Sequence, residues 1–123
     1  MKKVSTDKAP KAIGPYSQAV IVNGLVYTSG QIPLDPEKGV IVGNDIKEQT
    51  ERVMKNLSEV LKTAGTSLDN TVKTTCFLAD INDFSVFNEV YAKYITNTPA
   101  RSCVAVKTLP KGALVEVEVI ALI

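Results

Sequence analysis

The chain has 123 residues, 45% of them hydrophobic, which suits one compact domain over 1–123 and leaves no room for a second. Fourteen Lys and Arg against thirteen Asp and Glu give a net charge of +1, so no summed field draws the chain to nucleic acid or to an anionic membrane. Histidine is absent, which removes the usual zinc ligand and the base that titrates nearest neutrality.

Met1, Lys2, Lys3, Val4 and Ser5 run into polar residues without the apolar core of a signal peptide. No apolar run approaches the roughly 20 residues of a membrane helix, and a soluble, cytoplasmic protein is expected. Ser17 to Val22 and Leu25 to Ser29 read as two strands joined at Asn23-Gly24, the dipeptide best suited to a tight hairpin. Asp35 to Gly39 reads as a turn, followed by a short strand over Val40 to Val42. From Asp45 to Ala64 the apolar residues Ile46, Val53, Leu57, Val60, Leu61 and Ala64 fall on one helical face. Asp45 caps this helix, Glu48 completes a capping box and Gly65 stops it. Thr71 to Ala79 is strand-like. A second helix opens at Asn82 or Asp83, carries Phe84, Phe87, Val90, Tyr91, Tyr94 and Ile95 at helical spacing, and stops near Thr96 to Pro99. Ser102 to Lys107 and Ala113 to Ile123 read as a second hairpin around Leu109-Pro110-Lys111-Gly112.

Each helix has a single apolar stripe, so a sheet with both helices on one face is the economical arrangement. In the last strand Leu114, Glu116, Glu118, Ile120 and Leu122 share one side, and Val115, Val117, Val119 and Ala121 the other. Both sides are largely apolar, and a bare apolar sheet face implies a homo-oligomer.

If Thr108 lies opposite Ala113 in the second hairpin, then Arg101, Cys103, Glu116 and Glu118 share one sheet face. Such a group is either an ion-pair cluster that holds an oligomer together or a site with a surplus carboxylate free to act as a base. Arg101, at the start of its strand, has the planar fork that clamps a carboxylate with two hydrogen bonds. Cys103 and Cys76 lie in apolar runs without metal-type spacing and are expected to be free thiols. Tyr16 follows a Gly-Pro turn. Gly30, after Ser29 at a strand end, permits close backbone approach. Asn88 falls on the polar side of the second helix, where solvent contact is the simplest role.

In order along the chain stand Gly14-Pro15-Tyr16-Ser17-Gln18-Ala19, Thr28-Ser29-Gly30-Gln31-Ile32-Pro33, Asn82-Asp83-Phe84, Asn88, Pro99-Ala100-Arg101-Ser102-Cys103-Val104 and Val115-Glu116-Val117-Glu118. Together they resemble the Rid (reactive intermediate deaminase, YjgF-like) family, and most of all its 2-iminobutanoate/2-iminopropanoate deaminases. The resemblance implies an α+β, chorismate-mutase-like fold whose mixed β-sheet joins those of two further copies in a trimeric barrel, with sites between subunits. It implies hydrolysis of 2-imino acids to 2-keto acids and ammonia without metal or organic cofactor. In that reading Arg101, Glu116 and Tyr16 are catalytic: Arg101 holds the substrate carboxylate, Glu116 orients or activates water and Tyr16 closes over the substrate. Ser29, Gly30, Asn88 and Cys103 line the pocket, Gly30 and Cys103 through their backbone groups. Other members of the family are described as ribonucleases that inhibit translation or as ligand-binding regulators, which are the alternatives here. The segment Ile95-Thr96-Asn97-Thr98 is short for the family and has Ile95 where an aromatic residue is common.

Overall fold

The computed structural model describes residues 1–123. The chain runs β1 (Lys2–Val4), β2 (Ala19–Val22), β3 (Leu25–Thr28), α1 (Ile46–Ala64), β4 (Thr71–Leu78), α2 (Phe84–Tyr94), β5 (Ala100–Ala105) and β6 (Val115–Leu122), with short 3₁₀ turns at Leu68–Asn70, Ile81–Asp83 and Pro110–Gly112. All six strands form one sheet in the order β1-β2-β3-β6-β4-β5. It is a mixed α+β fold.

Local signals act where the sequence places them. Asn23 and Gly24 both take positive φ, 52° and 76°, as a two-residue hairpin turn requires, and Val22 pairs with Leu25 across it. The Asp45 carboxylate accepts the Glu48 amide hydrogen at 2.8 Å at the start of α1, and Gly65 closes it in the left-handed region. Glu48 makes no return bond, so only half of the expected capping box forms. At short range one strand goes unforeseen and one expected strand does not form. Lys2–Val4 is a strand, too brief to show periodicity, paired with β2. Val40 to Val42 yields a single bridge from Ile41 to Leu34 rather than a strand. The second helix opens at Asp83, its N-cap, as expected, with Phe84 its first residue; before it Asp80 caps a 3₁₀ turn through the Asn82 amide.

The larger correction concerns the second hairpin, which does not form. β5 runs parallel to β4, with Thr74 beside Arg101 and Cys76 beside Cys103. β6 lies on the other side of β4 and antiparallel to it, inserted between β4 and β3. A strand, a helix and a strand of these lengths make a crossover that delivers β5 parallel to β4. The turn over Pro110–Gly112 then carries the chain across rather than straight back.

Both helices cover the same sheet face. Val115, Val117, Val119 and Ala121 of β6, Thr74, Cys76 and Leu78 of β4, and Val26 of β3 are buried there, with Val53, Leu57, Val60 and Leu61 of α1 and Phe87 and Tyr91 of α2. The opposite face has no cover in the single chain: Tyr27, Val104 and Leu122 are exposed, and Thr75, Phe77, Glu116, Glu118 and Ile120 are half-buried. The sequence expectation of a bare, largely apolar sheet face is met. No helix is long and apolar enough to cross a membrane.

Candidate functional site

The strand pairing decides which reactive side chains meet. Cys103 shares its register with Cys76, which is buried under the helices, and Arg101 with Thr74, also buried there. Arg101 and Cys103 therefore sit on the helix side, at the sheet's outer strand. Glu116 and Glu118 pair across β4 with Phe77 and Thr75 and lie on the bare side. The expectation that these four residues share a face is thus overturned, because it rested on the hairpin that β4 displaces. Within one chain the ion-pair cluster cannot exist, and the one ion pair present joins Lys93 to Glu51 at 3.9 Å.

Arg101 is exposed and has no carboxylate partner. Its guanidinium stands 5.0 Å from the Tyr91 ring centroid and 5.4 Å from that of Phe84, and Nη1 donates to Asn88 Oδ1 at 2.7 Å. Phe84, Asn88 and Tyr91 recur at i, i+4 and i+7, one stripe of α2, which is why they converge on a single group. Asn88 accordingly holds Arg101 rather than facing solvent alone. Tyr91 is itself fixed: its hydroxyl shares a 2.8 Å hydrogen bond with Thr74 Oγ1. Sequence reasoning missed Tyr91 and Thr74, although the stripe was there to see. A cleft of about 410 Å³ opens beside the guanidinium, walled by Tyr91, Ala92, Ile95, Thr98 and Pro99. A planar cation, stacked, hydrogen-bonded on one side and unpaired on the other, is prepared for a carboxylate.

A second group of residues assembles at the far end of β3. Gln31 bridges to Val117 in both directions, its amide donating to the Val117 carbonyl at 2.9 Å and its carbonyl accepting at 3.2 Å. This brings Gly30 against the Glu116 side chain, so that a Cβ at position 30 would lie 2.8 Å from Glu116 Cδ and in collision with Oε2. Close approach does require glycine there. Burial, and after it the neighbouring Glu118 carboxylate, raises the Glu116 pKa. Tyr16 projects from its turn, 54% exposed, with Gly30, Gln31 and Ile32 around a cleft of about 330 Å³. Ser29 Oγ donates to the Ser17 carbonyl at 2.6 Å, which ties the Tyr16 turn to the Gly30 strand end. The buried Gln18 completes the tie: its Oε1 accepts from the Thr6 amide at 2.7 Å and its Nε2 donates to the Thr6, Ala9 and Pro10 carbonyls. Gln18 belongs to the Tyr16 motif, but its bonding partners lie 8 to 12 residues away, beyond what local spacing reveals.

The chain thus holds two half-sites, an arginine cradle on β5 and α2 and a Tyr16–Gly30–Glu116 group on β3 and β6. They face opposite sides of the sheet, and the three strand intervals from β5 to β3 amount to about 14 Å. No group of side chains suits a metal ion.

Residues 6–123 match the family model described as endoribonuclease L-PSP. A Lactococcus lactis protein named as a regulator, AldR, is 57% identical over 98% of this chain and 97% of its own. The human protein named 2-iminobutanoate/2-iminopropanoate deaminase is 50% identical over 97% of this chain and 88% of its own. The crystal structure of E. coli TdcF with bound serine superimposes with a TM-score of 0.93 at 41% identity, covering 100% of this chain and 99% of its own. The chain therefore belongs to the endoribonuclease L-PSP family, the Rid (YjgF-like) family that its motifs resemble.

Proposed function

We propose that the protein is an imine deaminase that hydrolyses short 2-imino acids, of the 2-iminobutanoate and 2-iminopropanoate type, to 2-keto acids and ammonia. The observation that carries this reading is the Arg101 guanidinium, stacked on Tyr91 and Phe84, tethered by Asn88 and lacking any carboxylate partner. The likeness to the human deaminase supports it.

In this reading Arg101 takes the substrate carboxylate, and backbone groups at Gly30 and Cys103 complete its orientation. The imine carbon is already electrophilic, so catalysis is a matter of placing one water and moving protons. Water adds to the iminium carbon while Glu116 takes one of its protons, giving the carbinolamine; Glu116 returns that proton to the nitrogen, the C–N bond breaks as the C=O forms, and the hydroxyl proton goes to the departing ammonia, which leaves as ammonium. A carboxylate whose pKa is raised by burial is the better for this, since it holds the proton longer between the two transfers. Tyr16 covers the substrate, and Ser29 and Asn88 act as supports.

Because Arg101 and Glu116 lie on opposite sides of the sheet, the reaction needs more than one copy. A homotrimer with its bare sheet faces turned inward, and with each cleft completed by a neighbour, meets both needs. The partners are then small 2-imino and 2-keto acids and further copies of the chain, in a cytoplasmic setting, with no nucleic acid. The regulator named among the relatives favours a second reading, in which the Arg101 cleft binds a keto acid without turnover. The two readings separate in one assay: imine generated in situ by an amino acid oxidase is supplied, and keto-acid release is followed with and without the protein. Release no faster than the spontaneous rate overturns the deaminase reading.

A further inference from the structure

We propose that Cys76 and Cys103 form an oxidisable dithiol, a modification site that closes into a disulfide between β4 and β5. The two cysteines are register partners in adjacent parallel strands and both point to the helix side. The interstrand spacing of about 4.8 Å lies within the roughly 4.4–6.8 Å between Cα atoms that a disulfide spans. Both thiols are free. They differ in access: Cys76 is fully buried and Cys103 is half-buried, so oxidant reaches Cys103 first and Cys76 is held directly beside it. β5 is the outermost strand and pairs only with β4, so an adjustment of its position disturbs no second strand pairing. Burial raises the Cys103 thiol above its ordinary value, and the Arg101 guanidinium, two residues earlier on the same side, offsets this only in part.

The oxidant is a hydroperoxide, hydrogen peroxide in the simplest case. The Cys103 thiolate attacks one peroxide oxygen, the O–O bond breaks, and sulfenic acid and water result. The Cys76 sulfur then attacks the Cys103 sulfur and expels hydroxide, which leaves as a second water with the proton from Cys76. Two thiols lose two electrons and two protons; one peroxide becomes two waters. Burial pushes the Cys76 thiol up to about 12, so closure accelerates with pH.

The test is exposure of the purified protein to hydrogen peroxide, followed by denaturing alkylation, intact mass and peptide mapping. The expected product has lost two hydrogens and both alkylatable thiols, contains a crosslinked peptide joining Cys76 to Cys103, remains one chain in a non-reducing gel, and reverts with dithiothreitol. Cys76→Ala accumulates added oxygen on Cys103. Cys103→Ser leaves Cys76 alkylatable after the same treatment. The proposal is overturned if wild-type Cys103 gains oxygen while Cys76 stays alkylatable, if the bond forms between chains, or if Cys76 oxidises as fast in Cys103→Ser. The wild-type mass and peptide map decide the matter even where a variant folds poorly, and none of these readouts depends on imine hydrolysis.

Discussion

Replacing Gly30 with alanine tests whether the Glu116 carboxylate is held by contact with the strand end. The new Cβ would stand 2.8 Å from Glu116 Cδ and 3.0 Å from Cγ, where ordinary contact begins at 3.4 Å. Gly30 is not among the residues with positive φ, so the backbone accepts alanine and the conflict is with this one side chain. The carboxylate must withdraw, by about 1 Å at its oxygen, and a misplacement of that size in a catalytic group costs about 10²-fold in rate. Since the obstacle is the end of a flexible side chain, the loss of stability is small, about 1 kcal/mol, at the low end for overpacking. Both numbers are separable in a double-mutant cycle. Glu116→Ala removes Cγ, Cδ and both oxygens, so Gly30→Ala in that background should cost close to nothing in urea unfolding. In the wild-type background keto-acid binding at Arg101 should persist while turnover falls. Equal destabilisation in both backgrounds refutes the reasoning, because the strain would then come from somewhere other than Glu116; so does turnover that is unaffected by Gly30→Ala.

Arg101→Lys keeps the charge but loses the planar fork and its stacking, and a fall of about 10- to 100-fold in kcat/KM is expected, the worth of a charge-assisted hydrogen bond; as the residue is exposed, the melting temperature should hardly change, and a near wild-type rate would make Arg101 structural. Glu116→Gln should lower turnover by about 10²-fold or more, with Glu118→Gln as the control that alters assembly more than rate; the opposite pattern reverses the two roles. The same pair of proteins has a pH signature. Because the folded chain holds the Glu116 proton more tightly than the unfolded one, the associated stability is present at low pH and is lost as pH rises from 4.5 through the raised folded value. Glu116→Gln should lack that loss, and parallel urea midpoints across this window would contradict it. Gln18→Ala strips partners from the Thr6, Ala9 and Pro10 backbone; a cost of about 2–3 kcal/mol and faster amide exchange at Thr6 are expected, and unchanged exchange there would count against Gln18 as the tie. Sedimentation at micromolar concentration should show three copies together, and a monomer would undo the inference from the bare sheet face.

Much of this protein is written in short-range chemistry. The Asn23-Gly24 turn, the Asp45 cap, the Gly65 stop and the stripes of α1 and α2 each depend on residues within a few positions of one another, so the sequence by itself determines them. The alternation along β6 likewise settles which residues face the helices and which face outward, whatever strand lies alongside. Partner choice is another matter. Leu109 to Gly112 has the length and composition of a hairpin turn, and two strands flank it, yet β4, α2 and β5 also have the lengths of a crossover, and only one of the two pairings can be made. Tertiary packing chose the crossover: α2 covers β4 through Tyr91 and Thr74, which delivers β5 alongside β4 and leaves the edge of β4 opposite β5 for β6. That choice placed Arg101 and Glu116 on opposite sides of the sheet. Local residue patterns named both side chains, but the competition between two long-range pairings decided that a single chain cannot bring them together.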